Sequence, residues 1–170
     1  MINVYPSPLQ ETIDIVHKRV HEGRYFSGGY YNGTVADGAS VNLLIQSSST
    51  QATHTKFTGS ASGDCTFYIY EGTTFSAAGT AITVSNHNRT SSNVFSGTVT
   101  HTPTITADGT QLDGIGFIAG GTKSSGSGGD FGFGNEFLLN ASTNYLVRIT
   151  NNSGGTAKVN IHIEAYQPTL

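Results

Sequence analysis

The side chains best suited to chemistry stand together at Asn86-His87-Asn88-Arg89, in a chain in which only 11% of the residues are charged. An imidazole beside two amides and a guanidinium suits three roles: an active site, a metal site, or a hydrogen-bonded corner of the fold. Asparagine side chains often satisfy turn backbone groups, and arginine carries five donors. The types of these four residues alone leave all three roles open.

A second group lies near the start of the chain, where His17 and His21 are four residues apart. On a helix this spacing places two imidazoles on one face, an arrangement that can bind zinc. Two ligands make a weak site, however, and Glu22 follows His21 directly, so no His-Glu-x-x-His motif is formed. The ligand count favours a structural role for the pair. We predict no metal site and no other cofactor.

Catalytic motifs are weak in the rest of the sequence. No Gly-x-Ser-x-Gly sequence stands between a strand and a helix, as a nucleophile elbow requires. The stretch Gly59–Asp64 lacks the lysine of a phosphate-binding loop. Most of the eleven acids, among them Asp37 and Asp108, fall in turns and do not suggest a pair of catalytic carboxylates. We therefore expect that the protein is not an enzyme.

The composition predicts strands and turns rather than helices. Glycine, threonine, serine and asparagine dominate; threonine favours strands and the other three suit turns. A hydrophobic fraction of 36% can bury a core, so disorder is predicted only for the stretch Gly120–Gly134. Turn signals recur about every 8–12 residues, which is typical of sandwiches and barrels. We expect an all-β protein with an antiparallel β-sandwich, and we favour a jelly roll over an immunoglobulin-like strand order.

Local patterns add three expectations. The segments THTKFTGSAS and CTFYIYEG meet at the turn Ser62–Asp64 and are predicted to form a hairpin. Gly28 and Gly29 predict a bulge in the first strand. The single cysteine, Cys65, is predicted to lie in a strand, where it would act as a small hydrophobic residue.

The N-terminal residues differ in character from the rest. Residues 1–22 are predicted to form an arm outside a β-sandwich domain that spans residues 23–170. Thr12–Val16 is rich in β-branched residues, so an extended arm is at least as well supported as a helix. The charge density of this segment indicates a contact or linker segment rather than part of the core.

Charge and hydropathy exclude two classes of partner. A formal net charge of −3 and scattered Lys and Arg residues provide no basic face for nucleic acid. No run approaches the ~18 apolar residues of a membrane-spanning helix. The N-terminus also lacks the basic start and apolar core of a signal peptide. We predict neither a nucleic-acid partner nor a membrane partner.

Three stretches carry a family resemblance. IVHKRVHEGRYF (Ile15–Phe26) is similar to a His-rich opening that ends in His-x-Gly-x-x-Phe. YEGTTFSAAGTAITVSNHNRTSS (Tyr70–Ser92) is similar to a core that ends in Asn-x-Asn-Arg. LLNASTNYLVRITNNSGG (Leu138–Gly155) is similar to a closing Leu-x-x-x-Thr-x-Tyr-x-x-Arg-x-x-Asn. Together and in this order, they resemble the capsid decoration, or cement, proteins of tailed bacteriophages.

The resemblance implies a jelly-roll β-sandwich that assembles as a homotrimer and bridges subunits of the major capsid protein. Such a protein is made in the host cytoplasm and located on the capsid surface of the virion. On this interpretation Asn86, Asn88 and Arg89 form a structural corner. The asparagines would satisfy backbone groups of the turn, and Arg89 would bind carbonyls or a carboxylate such as Glu71 or Glu136.

The same interpretation assigns a role to the N-terminal arm, which would reach a neighbouring copy or the capsid. Its candidate contact residues are Ile13, Ile15, His17 and His21. Disordered arms that become ordered on binding are a common way to make such contacts.

Two alternatives remain open. A receptor-binding or tail-tip domain of a phage, which binds glycans, would share a Thr-, Gly- and Asn-rich sandwich. The chain has no tryptophan, the strongest stacking residue for sugars, and its Tyr and Phe residues alternate as core residues do. The second alternative is an esterase or lyase built on a β scaffold.

Overall fold

A computed structural model describes residues 14–117, 129–132 and 136–168. Within these ranges the chain forms a short helix, α1 (Ile15–His21), and a series of strands. The strands are β1 (Tyr25–Val35), β2 (Ser40–Ser47), β3 (Thr53–Ala61), β4 (Cys65–Glu71), β5 (Thr74–Ala77), β6 (Thr80–Ala81), β7 (Ser85–Asn86), β8 (Gly97–His101), β9 (Thr104–Ala107), β10 (Thr110–Phe117), β11 (Gly129–Gly132), β12 (Phe137–Leu139), β13 (Asn144–Asn151) and β14 (Ala157–Tyr166).

Two antiparallel sheets contain nearly all of these strands. Sheet A has the order β11-β3-β14-β1-β7, with β12 also paired to β3. Sheet B has the order β10-β4-β13-β2-β8-β6, and β5 and β9 form a separate two-stranded sheet. The chain passes from one sheet to the other between β1 and β2, between β2 and β3, and between β3 and β4. The antiparallel sandwich is therefore confirmed, and the strand order is compatible with a jelly roll.

The core lies between the sheets and follows from the alternation of apolar and polar residues. On β14, Val159, Ile161 and Ile163 are fully buried and the intervening residues are not. Burying one such side chain stabilises the fold by ~1.5–3 kcal/mol. Cys65 is buried in the same core, as its position in a strand predicted, and burial raises the pKa of its thiol to about 11.

The outer face of sheet B is partly covered by its own chain. Leu44 and Leu146 are paired across β2 and β13, and both are fully buried although they lie outside the central core. Arg148 on the same strand donates to both carboxylate oxygens of Asp108, at 2.7 and 2.8 Å. Asp108 lies in the turn between β9 and β10. This ion pair therefore fixes that turn against the sheet.

The predicted hairpin between the THTKFTGSAS and CTFYIYEG segments is wrong. These segments contain β3 and β4, and β3 pairs with β14 in sheet A whereas β4 pairs with β13 in sheet B. The turn at Ser62–Asp64 therefore crosses from one sheet to the other. Each strand buries one face, and that requirement is met equally well by strands that face each other across the core.

The predicted bulge at Gly28 and Gly29 is also wrong. Both residues pair with β14 in continuous register, and the register of β1 shifts only between Asn32 and Val35. The missing side chain matters for a different reason. A Cβ on Gly29 would lie 2.9 Å from the carbonyl oxygen of Ile161, so the adjacent backbone needs this space.

The predicted disordered stretch Gly120–Gly134 contains one strand. Gly129–Gly132 form β11, which pairs with β3 at the edge of sheet A, so the prediction is wrong for these residues. The remaining residues of the stretch lie outside the described residues.

Candidate functional site

Helix α1 has a sequence signal at each end. At its start the carboxylate of Asp14 accepts hydrogen bonds from the backbone N–H groups of Val16 (2.8 Å) and His17 (3.2 Å). At its end Gly23 adopts a φ of 65°, in the left-handed region that glycine tolerates best. The N–H of Gly23 donates to Val20 O (3.0 Å), and that of the next residue donates to the carbonyl of Arg19 (2.8 Å). This pair of bonds is a Schellman motif.

The described part of the N-terminal arm is therefore helical from Ile15 to His21, not extended. The β-branched residues lower the helix propensity, but the Asp14 cap and the Gly23 motif satisfy backbone groups that an isolated turn would leave open. Arg19 adds a 2.7 Å ion pair with Glu22. Ile13 lies outside the described residues.

Asn86 lies at the centre of the predicted corner and is nearly buried, with 9% of its surface exposed. Its amide nitrogen Nδ2 donates to the carbonyl oxygens of Gly23 (2.8 Å) and Asn93 (3.0 Å). Its Oδ1 accepts from the backbone N–H of Asn88 (2.9 Å). One side chain thus joins the corner to the residue that terminates the helix.

Asn88 makes a second connection of the same kind. Its Nδ2 donates to the carbonyl oxygen of His21 at 3.1 Å, and its Oδ1 accepts from the backbone N–H of Thr90 at 3.1 Å. Asn93, four residues after the predicted corner, donates to the carbonyl of Gly23 at 3.1 Å. The corner therefore binds the carbonyl of His21, the last residue of α1, and that of Gly23, which follows the helix. The structure brings together two groups of residues that the sequence suggested separately.

Arg89 does not bind the carboxylates proposed for it. Its Nη1 donates to the carbonyl oxygen of Asn86 at 3.2 Å, so the expected carbonyl contact is present within the corner itself. Glu71 instead accepts from Tyr145 Oη (2.7 Å), and Glu136 accepts from Tyr166 Oη (2.8 Å). Both acids are engaged elsewhere in the fold, at positions that the sequence pattern does not reveal.

The remaining side chain of the Asn86–Arg89 stretch, His87, also has a structural environment. Its Nε2 lies 2.8 Å from Ser27 Oγ, and its ring packs edge-on against Tyr25 with centroids 4.8 Å apart. Within the described ranges, no three His, Cys, Asp or Glu side chains come together as a set of metal ligands.

Helix α1 has an inner and an outer face. On the inner side Arg19 lies over the ring of Tyr166, 5.9 Å from its centroid, and Val16 lines a hollow against sheet A. Among the predicted contact residues, Ile15 is 48% exposed, and His17 and His21 are exposed as well. The contact residues that the structure describes therefore lie on the surface of a docked helix.

Sequence reasoning missed a cluster beneath this helix, which we call the Tyr–Glu–His cluster (Tyr25, His54, Glu136, Glu164 and Tyr166). Tyr25 Oη donates to Glu164 at 2.8 Å, and Tyr166 Oη donates to Glu136 at the same distance. His54 Nδ1 lies 3.0 Å from Glu136, and the His54 ring stacks on Tyr166 with centroids 4.4 Å apart. The period-two pattern places the four strand residues on the outer face, but only the register of β1, β3 and β14 brings them together. Glu136 joins them because it directly precedes β12, which pairs with β3.

The cluster has perturbed pKa values with identifiable causes. Burial, with the hydrogen bond to Glu136, raises the pKa of Tyr166 to about 12, and burial with the bond to Glu164 raises that of Tyr25. Desolvation alone would raise the pKa of Glu136. Hydrogen bonds from Tyr166 and His54 outweigh it and hold that pKa below its usual value of 4.5. The Tyr and Glu side chains bind one another, and α1 contacts this cluster through Arg19, which lies over Tyr166.

Comparison with models of known protein families, with curated proteins and with solved structures gave no match to this chain. In the part of the chain that the structure describes, no helix has both the length and the apolar character needed to cross a membrane.

Proposed function

We propose that the protein is a structural component of a tailed-phage virion. It decorates the capsid surface as a homotrimer and stabilises it by bridging subunits of the major capsid protein. The proposal starts from the family resemblance of the three stretches within Ile15–Phe26, Tyr70–Ser92 and Leu138–Gly155. The first two meet in the fold, where Asn86 and Asn88 bind the end of α1.

The observation that carries the proposal is the use of charge. The chain has few acids, and most of those described accept hydrogen bonds from their own chain. These acids are Asp14, Glu22, Asp37, Glu71, Asp108, Asp113, Glu136 and Glu164. The acidic side chains are therefore engaged in hydrogen bonds that stabilise the fold, and neutral polar groups dominate the surface. The cores of protein interfaces are depleted in charged residues, and neutral polar groups suit wide, hydrated contacts.

The docked helix offers a defined contact on this surface. Ile15 exposes an apolar side chain, while the helix that carries it is held at both ends by Asp14 and Asn88. Such preorganisation lowers the entropic cost of binding. Many weak contacts on a repeating lattice then reinforce one another through multivalency.

Binding to capsid shells tests the proposal. Empty shells assembled from a tailed-phage major capsid protein are mixed with the purified protein and sedimented. We expect saturable binding and greater resistance of the shells to heat. Ile15→Asp should weaken binding at least about 30-fold, because truncating an anchor residue at an interface costs ~2 kcal/mol or more.

The matched control is Val94→Asp, which places the same charge at an apolar residue that is 81% exposed and lies outside α1. It should bind like the unmodified protein. A protein that does not sediment with the shells would contradict the decoration role, and a monomeric mass by light scattering would contradict the homotrimer.

A glycan array serves as the second arm of the experiment and tests the tail-tip alternative. Tyr31 is 59% exposed on the outer face of sheet A and is the side chain on which a sugar could stack. Affinity for host glycans that is lost in Tyr31→Ala, together with no affinity for shells, would favour that alternative. Turnover of chromogenic esters or of polysaccharides would favour the other alternative, an esterase or lyase.

A further inference from the structure

The two histidines of α1 hold an unusual position relative to each other. The Nε2 atoms of His17 and His21 are 3.0 Å apart, with ring centroids separated by 4.5 Å and ring planes inclined at 69°. Both side chains are exposed on the outer face of the helix. The two nitrogen atoms share a hydrogen bond, with one ring donating and the other accepting, at a surface that solvent and ions reach. An ion bound to both nitrogen atoms would replace this bond.

We propose that His17 and His21 form a chelating site for a divalent first-row transition-metal ion, with Cu²⁺ and Ni²⁺ the best fit. A histidine nitrogen lies ~2.0–2.1 Å from a bound ion of this kind. An ion at that distance from both Nε2 atoms would bind them at an angle of about 94°, from the 3.0 Å separation. Angles near 90° belong to tetragonal coordination, which Cu²⁺ and Ni²⁺ prefer, whereas a tetrahedral zinc site needs a wider separation.

The site is preorganised through the backbone of both ligands. The N–H of His17 is bound by the carboxylate of Asp14, and the carbonyl of His21 is bound by the amide of Asn88. The capping side chains thus fix the turn of helix that sets the spacing of the two imidazoles. A chelate on such a turn loses little conformational freedom when the ion binds.

Neighbouring charges do not block the site. Arg19 lies over Tyr166 on the inner face and pairs with Glu22 at 2.7 Å, and Lys18 lies 3.9 Å from the same carboxylate. No third His, Cys, Asp or Glu joins the pair among the described residues. The ion would therefore keep water molecules at its other positions, or accept a ligand from another molecule. His17 and His21 are also predicted contact residues, but binding of an ion by the free chain does not depend on the proposed function.

Titration of the full chain with CuCl₂ and with NiCl₂ tests the proposal, by calorimetry and by the visible absorption of the bound ion. We expect one ion per chain, with affinity in the order Cu²⁺, Ni²⁺, Co²⁺ and then Mn²⁺. His17→Gln and His21→Gln should each weaken binding by more than about tenfold. Loss of a residue that only hydrogen-bonds a metal ligand already costs about tenfold or more, and loss of a ligand itself should cost more. Glutamine is a good helix former, so these variants keep the helix.

His162→Gln is the matched control, because it removes an outward-facing imidazole from β14 and should leave the affinity unchanged. Equal affinity in His17→Gln, His21→Gln and the unmodified chain would overturn the proposal. Binding of Mg²⁺ as strong as that of Ni²⁺ would also overturn it, since the site would then be one of charge alone.

Amide hydrogen exchange provides a second, independent readout. Opening of α1 separates the two ligands, so a bound ion must suppress the opening. At an ion concentration of 100 times Kd, exchange of the α1 amides should slow by about 100-fold, with no change in the core strands. Unchanged exchange in α1 under saturating Ni²⁺ would mean that the two imidazoles do not share the ion.

Discussion

Replacing Asn86 with alanine removes the side chain that joins the corner to the end of α1. Three hydrogen bonds disappear. Two are donated by Nδ2 to the carbonyl oxygens of Gly23 and Asn93, and the third is accepted by Oδ1 from the backbone N–H of Asn88. Each bond contributes about 0.5–1.5 kcal/mol, and a buried group left without a partner costs more. We therefore expect Asn86→Ala to lower the free energy of unfolding by about 3 kcal/mol. For a chain of this size that corresponds to a fall in Tm of about 6–12 °C.

Urea unfolding followed by far-ultraviolet circular dichroism measures this change. Asn152→Ala is the matched control, because Asn152 is exposed and the two hydrogen bonds of its side chain are both 3.4 Å long. It should change the free energy of unfolding by less than about 0.5 kcal/mol. Asn86→Asp keeps the shape of the side chain and one acceptor but loses both donors. It should therefore destabilise at least as much as Asn86→Ala.

Two results would refute the reasoning. One is a free energy of unfolding for Asn86→Ala that equals that of Asn152→Ala, which would mean that the three bonds contribute nothing net. The other is a loss of global stability with unchanged hydrogen exchange in α1. In that case Asn86 would stabilise the sandwich without holding the helix.

Three further predictions concern the same region. Gly23→Ala should lower the free energy of unfolding in urea by more than about 1–2 kcal/mol, because φ is 65° and the new Cβ would collide with Ser91. The control is Gly38→Ala, at φ 73° in open space, which should show the backbone cost alone. Equal losses of stability in the two variants would argue against the collision. Arg89→Ala should cost less than about 1 kcal/mol, since it loses one 3.2 Å bond at an exposed position, and a fall in Tm above about 5 °C would contradict this. The folded pKa of Glu136 is lowered, so its stabilising contribution is present above its usual value of 4.5 and is lost as the pH falls through the folded pKa. The stability difference between the unmodified chain and Glu136→Gln should accordingly shrink below pH 4.5, and a constant difference from about pH 7 to about pH 3 would contradict the linkage.

The fold class could be predicted from the sequence because burial follows the side-chain period of a strand. The alternation of Val159, Ile161 and Ile163 with polar residues shows which face is buried. It does not show which strand lies alongside, since a neighbour in the same sheet and a strand across the core bury the same face. The hairpin of β3 and β4 was predicted wrongly for this reason.

The helix and the site show a different limit. Asp14 and Gly23 are helix-end signals that the sequence displays, but their weight against the β-branched residues depends on tertiary contacts. A helix of seven residues is marginal by itself. Its stability comes from partners such as Asn86, which is 63 residues away from Gly23. The composition of the corner suggested a hydrogen-bonding role, but local patterns do not specify a partner so far along the chain.

The places of the last two strands have a consequence for how the protein is made. β14 lies between β3 and β1, and β13 lies between β4 and β2, so the centre of each sheet comes from residues after position 143. A chain emerging from the ribosome has no closed sandwich until Tyr166 is available, because its earlier strands lack their central neighbours. We expect folding in the millisecond-to-second range of β-proteins rich in distant pairings. Until then the nascent polypeptide exposes unpaired strand edges, and crowded synthesis should favour aggregation over slow productive closure.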